Sequence, residues 1–213
     1  MQWRLLIVLV VDAVLAAIGW NGYVAGSWSP NRWGLLLSAM FGVWIVVPEL
    51  LRGEDGKPST SKLQFFLWTT AFAYSVGAFL ALKWGPLAVT INPALPTSLY
   101  AAMGMATTLI GAKGITIHNM KSGLLSTKGG PSSTKCASPL YFLTDDNEQV
   151  QLTKVQLLFW TLVAITAYLR AVLSIVAAAE PGTTVHLPDI DPMLVSLVGI
   201  GQATYLGRKL LDR

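Results

Sequence analysis

Charge and cysteine are what this sequence has least of. Only 12% of its 213 residues are Asp, Glu, Lys or Arg, about half of the roughly 25% usual in soluble domains. The single cysteine, Cys136, excludes an internal disulfide framework and a cysteine-cluster metal site. The histidines, His118 and His186, lie far apart and in opposite kinds of loop, so no metal-ligand spacing arises. No Ser/His/Asp or Cys/His arrangement supports catalysis. Ser126-Thr127-Lys128-Gly129-Gly130-Pro131 has glycines and a lysine without the Walker order, and reads as a flexible linker. Asp145, Asp146 and Glu148 lack the alternating spacing of an EF-hand and read as a solvated turn. The expectation is a non-enzymatic chain with no cofactor and no metal.

What the sequence has instead is apolar length. Hydrophobic residues make up 53% and the mean hydropathy is +0.55. A soluble core of this size could not hide that much apolar surface, so the bilayer is the expected solvent and partner. The expected fold is all-α: a polytopic integral membrane protein with six transmembrane helices. The spans fall at 5–20, 33–47, 63–82, 97–117, 155–179 and 192–211. The first resembles a signal peptide, but Asp12 interrupts its apolar run, and a retained span is expected. Trp20, Trp28 and Trp33 flank the first loop as an aromatic belt would. Residues 83–96 and 180–191 read as Pro/Gly loops, and 140–152 as a small β-hairpin at the end of a long polar connection.

One stretch occurs twice. Ser61-Lys62-Leu63-Gln64-Phe65-Phe66-Leu67-Trp68-Thr69 returns as Thr153-Lys154-Val155-Gln156-Leu157-Leu158-Phe159-Trp160-Thr161. Each copy opens an apolar segment, and each is followed by a Pro-rich break, a Gly-rich apolar segment and Gly-x-Lys (Gly111 to Lys113, Gly207 to Lys209). Ser/Thr-x-x-Gln predicts a capping box, with the hydroxyl of Ser61 or Thr153 on the N3 amide and the glutamine reaching back. Trp68 and Trp160 read as interfacial anchors. Gly104, Thr108 and Ala112, and likewise Gly199, Ala203 and Gly207, recur at every fourth residue and predict close helix packing. Asp191-Pro192 supplies an N-cap and an N1 proline for the last span.

The run from Phe142 to Thr161, with Leu187-Pro188-Asp189-Ile190 and the run from Leu197 to Lys209, resembles a two-helix repeat of uncharacterised prokaryotic integral membrane proteins. The resemblance implies a duplicated hairpin and brings no activity or site residues. The segment from Gly53 to Lys113 is a weaker copy, and residues 1–51 lie outside it. The expected division is an N-terminal transmembrane hairpin (1–51), a first two-helix repeat (52–118), a cytoplasmic linker (119–151) and a second repeat (152–213).

Lysine and arginine orient the spans. Arg52, Lys57, Lys62, Lys121, Lys128, Lys135, Lys154, Arg208, Lys209 and Arg213 fall on one side, and only Arg32 and Lys83 on the other. The positive-inside rule then places both termini in the cytoplasm of a prokaryotic inner membrane. Topology thus explains the net charge of +4, and no nucleic-acid partner is expected. Two copies of a two-span unit form a parallel repeat rather than an inverted one.

For function, two readings compete. In the first, a homo-oligomeric channel-like protein turns its polar span residues to a common axis: Gln64, Thr69, Thr70, Thr108, Gln156, Thr161, Gln202 and Thr204. In the second, a non-catalytic subunit packs against or anchors a larger membrane complex. Asp12, deep in the first span, is a functional candidate by its depth. Arg170 lies near the other face, where it would snorkel toward headgroups or toward Glu180, Asp189 or Asp191.

Overall fold

The computed structural model describes residues 2–25, 29–52, 58–92, 94, 96–98, 101, 142–143 and 149–211. Long apolar runs with few charges become long helices. These are α1 (Gln2–Val24), α4 (Thr60–Trp84) and α5 (Leu152–Ala177), of 23, 25 and 26 residues. At 1.5 Å per residue each exceeds about 34 Å, enough for a hydrocarbon core of about 30 Å. These three are long and apolar enough to cross a membrane.

The other expected spans fare differently. α2 (Pro30–Val43) has 14 residues and continues through a 3-10 turn (Trp44–Val46) to the short α3 (Pro48–Leu51). Alone it reaches only about 21 Å. α6 (Pro192–Leu211) has 20 residues, about 30 Å at 1.5 Å per residue. Of the fourth span, Thr97, Ser98 and Ala101 are helical and the rest lies outside the described residues. So do Gly104, Thr108, Ala112, His118 and Cys136, together with most of the hairpin expected over 140–152.

Helix starts correct one expectation. The N-cap of α4 is Ser59, whose hydroxyl accepts from the Lys62 amide at 3.4 Å; Ser61 lies inside the first turn, buried. The cap of α5 is Gln151, without a side-chain cap bond, and Thr153 is likewise inside the helix. No capping box forms, because the helices begin earlier than the motif implies. Gln64 is thereby released for another role. At α6 the expectation holds: Asp191 Oδ1 accepts from the Met193 amide at 2.7 Å, behind Pro192.

α4 is the central helix. α2 lies along it through two glycines. A Cβ on Gly34 would stand 2.7 Å from the Tyr74 ring and 2.8 Å from the Tyr74 carbonyl oxygen. One on Gly77 would stand 2.7 Å from the Trp33 carbonyl oxygen. The Tyr74 hydroxyl donates to Asn31 Oδ1 at 3.1 Å across the same contact. α1 is peripheral: Trp3, Leu6, Ile7, Leu9, Val10, Val14 and Ile18 are exposed, as suits a lipid-facing helix. Arg4 at its start pairs with Glu49 of α3 at 3.3 Å.

α4 and α5 are tied at both ends. Where they begin, the Thr60 hydroxyl donates to the Phe142 carbonyl at 2.7 Å, and the Gln151 amide to the Leu143 carbonyl at 2.7 Å. Beyond their far ends, β1 (Thr90–Ile91) and β2 (Thr184–Val185) pair in parallel, Thr90 opposite Thr184 and Ile91 opposite Val185. The two helices therefore run side by side in the same sense. The sequence reads both connections as plain loops; two-residue strands are too short to leave a periodic signal. Glu180-Pro181-Gly182-Thr183 closes the second loop. The Thr183 amide donates to the Glu180 carbonyl at 3.2 Å, and Gly182 takes the positive φ of 76° that a type II turn needs at its third position.

Candidate functional site

Between the two ties, the α4 and α5 interface is polar at one end and apolar at the other. On α4, Gln64 and Trp68 sit one turn apart on one face, each 1% exposed. On α5, Thr161 is fully buried and its hydroxyl donates to the Leu157 carbonyl at 2.8 Å. That spends the only hydroxyl proton, so Thr161 Oγ1 can only accept from across the interface. Gln64 Nε2 donates to it at 3.0 Å. The orientation of the Gln64 amide is thereby fixed, and its Oε1 points elsewhere, buried and without a partner among the described residues.

One level further on, Trp68 meets Tyr168 edge-on, ring centres 6.2 Å apart. Such a contact adds about 0.5–1.5 kcal/mol beyond area burial. Trp68 Nε1 is also buried and has no acceptor among the described residues. Ser75 donates to the Ala71 carbonyl at 3.0 Å. Toward the strand end the interface becomes apolar, with Phe79, Leu82, Val172 and Val176 buried. α6 reaches the seam through Gly201, where a Cβ would lie 3.6 Å from Leu157 Cδ1. Its neighbour Gln202 is 5% exposed, with Nε2 buried and without a partner among the described residues.

The expected site residues thus separate. Gln64 and Thr161 come together inside the bundle, and Gln202 is buried on α6. Gln156, which has the same motif position as Gln64, is exposed on α5. Thr69 is half-buried and its hydroxyl donates back to the Phe65 carbonyl at 2.8 Å, as Thr70 does to Phe66. Thr204 is exposed and bonds back to Ile200. Among the described residues of the set, Gln64 and Thr161 face each other inside the chain while Gln156 and Thr204 face its outside. Trp68 is a core residue, not an interfacial anchor, because Tyr168 covers it. Asp12 is half-buried on α1, with Oδ1 unpartnered among the described residues. Arg170 is exposed and pairs with none of Glu180, Asp189 or Asp191.

On α6 the expected packing stripe is one step out of register. Ala203 is exposed and Gly199 half-buried, whereas Val198, Gly201 and Gln202 face inward; the backbone at Gly207 is helical. The Gly34 and Gly77 contact, which brings backbones closest, belongs to α2 and α4. Its signal in the sequence is slight: the lone Gly77 of one apolar run and one of two glycines, Gly34 and Gly42, of the other.

At the strand end, Asn92 Nδ2 and His186 Nδ1 are 3.0 Å apart, and Ser98 bridges the two loops: its hydroxyl donates to Asp189 Oδ1 and accepts from the Ile190 amide at 2.8 Å. An open groove of about 380 Å³ beside them is lined by Ala178, Glu180, Thr184 and His186 among others. Among the described residues no three His, Cys, Asp or Glu side chains gather as metal ligands.

Comparison with known proteins brings no match: no family model, no curated protein and no solved structure is similar to this chain.

Proposed function

We propose that this chain is a non-enzymatic, membrane-embedded packing subunit, which anchors or braces a larger membrane complex. One observation carries the reading. Gln64, the residue a polar pore mouth needs at an open surface, is 1% exposed and bonded to Thr161 of the neighbouring helix. Trp68 beside it is equally enclosed. Polar side chains used this way act as glue between membrane helices.

The finer architecture belongs to the same proposal: six spans, with two hairpins of an uncharacterised prokaryotic repeat family laid down in the same sense. The parallel pairing of β1 with β2 supports it, since the strands follow the two Lys-x-Gln starts at nearly the same distance. The lysine distribution supports cytoplasmic termini in a prokaryotic inner membrane.

A second reading keeps the homo-oligomeric channel. It is favoured by the exposed positions Gln156, Thr166 and Arg170, which share one face of α5 at helical spacing. Such a face could line an axis between subunits. Reconstitution separates the two. The purified chain in liposomes is expected to pass no ions above the protein-free background. A symmetric ring whose flux falls on Gln156→Leu would overturn the packing reading in favour of the channel.

A further inference from the structure

We infer that the groove beside the paired strands is a binding site for the headgroup of an aminophospholipid, a phosphate that carries a primary ammonium group. The groove, of about 380 Å³, opens at the end of α5. Ile175 belongs to the last turn of that 26-residue helix, and Ala178, Ala179 and Glu180 follow the helix directly. The apolar floor therefore lies where the span ends, at the level of the headgroups. The inference rests on the chain being membrane-embedded, as proposed above, and not on whether it braces a complex or lines a channel.

The polar lining selects the ligand. Glu180 is exposed and forms no ion pair among the described residues, and no described lysine or arginine lines the groove. A carboxylate so placed is complemented by a cation. A primary ammonium offers it three N–H donors. A quaternary ammonium offers none and is held instead by aromatic rings, and no described Phe, Tyr or Trp lines the groove. His186 supplies the opposite role. Asn92 Oδ1 accepts from the Ala94 amide at 2.9 Å, which fixes Asn92 Nδ2 as the donor to His186 Nδ1 at 3.0 Å. The imidazole proton then sits on Nε2, an N–H with no partner among the described residues. Together with the Thr184 hydroxyl, also on the groove, it gives two donors for phosphate oxygens. A metal ion fits less well, since one carboxylate and one imidazole fall short of the three protein ligands of an ordinary site.

Native mass spectrometry of the full chain, released from nanodiscs of equal parts phosphatidylethanolamine, phosphatidylglycerol and phosphatidylcholine, tests it. Phosphatidylethanolamine is expected to stay bound about threefold to fivefold more than either other lipid, the preference that one partly exposed charge pair supports. Glu180→Gln is expected to abolish that preference and keep the fold, because the loop uses the Glu180 backbone carbonyl and not its carboxylate. Soluble phosphoethanolamine, added to discs of phosphatidylcholine alone, is expected to leave no adduct. Equal retention of the three lipids, or a preference unchanged in Glu180→Gln, would overturn the site and leave the membrane reading intact. An adduct of the soluble compound that Glu180→Gln removes would overturn the lipid in favour of a free ligand. A chain that does not enter the discs would overturn the membrane reading and the site with it.

Discussion

Gln64 Nε2 donates to Thr161 Oγ1 across 3.0 Å, joining the glutamine of one Lys-x-Gln-x-x-x-Trp-Thr segment to the threonine of the other. The reciprocal pair, Gln156 with Thr69, does not form: Gln156 is exposed and Thr69 bonds within its own helix. Two segments that share their Lys, Gln, Trp and Thr therefore do different work, one as the buried side of a helix contact and one partly as its outer surface.

The contact should show as coupling. Gln64→Leu and Thr161→Val each leave the other side chain buried without its partner, so each is expected to lower stability by roughly 1–2 kcal/mol. The double variant is expected to lose less than the sum, with a coupling of about 0.6–1.7 kcal/mol. Reversible unfolding in mixed detergent micelles gives all four free energies. Strict additivity would remove the hydrogen bond from the explanation.

Glycine substitutions should divide by neighbour. A Cβ at Gly34 or Gly77 would meet backbone oxygen at 2.8 or 2.7 Å, so α2 and α4 must move apart. Gly34→Ala and Gly77→Ala are each expected to cost about 1–3 kcal/mol. Gly201→Ala meets Leu157 at 3.6 Å, ordinary contact, and is expected to be tolerated. Thermal unfolding midpoints of the three variants, measured side by side, check the order.

At the turn before β2, Gly182→Ala places a side chain at a φ of 76°. Nothing obstructs the added carbon sterically from outside, so the expected loss of about 1 kcal/mol comes from the backbone alone. Gly182→Asn should lose less, because asparagine visits that region more readily. Equal stability of wild type and both variants would mean that the turn differs in the membrane.

The ion pair of Arg4 and Glu49 should matter little. Its side chains are 46% and 24% exposed, and pairs of this kind contribute about 0–1 kcal/mol. Arg4→Gln is expected to shift the unfolding midpoint marginally, and less still at high salt. A large loss would point to a role for Arg4 beyond this pair.

Much of the fold can be read in one dimension. The apolar runs that become α1, α4 and α5 announce themselves by length, and Asp191-Pro192 marks the start of α6. The start of α4 is harder, because Ser59-Thr60-Ser61 offers three successive hydroxyls and the chain uses the first. Burial is harder still. Gln64 and Gln156 have the same local pattern, and only the helix packed against each decides which is covered. Trp68 and Trp160 pose the same problem, since a tryptophan one turn into a span suits a headgroup layer or a core equally well. The pairing of β1 with β2 joins residues far apart in the chain through two rungs, and no local spacing encodes it.

Accessibility of single cysteines to a membrane-impermeant thiol reagent on intact cells tests the same-sense pair of hairpins most directly. The expected result is labelling of Thr90→Cys, in a Cys136→Ser background, from outside the cell, with native Cys136 protected until the membrane is opened. Labelling of Cys136 on intact cells, or protection of Thr90→Cys, would contradict it.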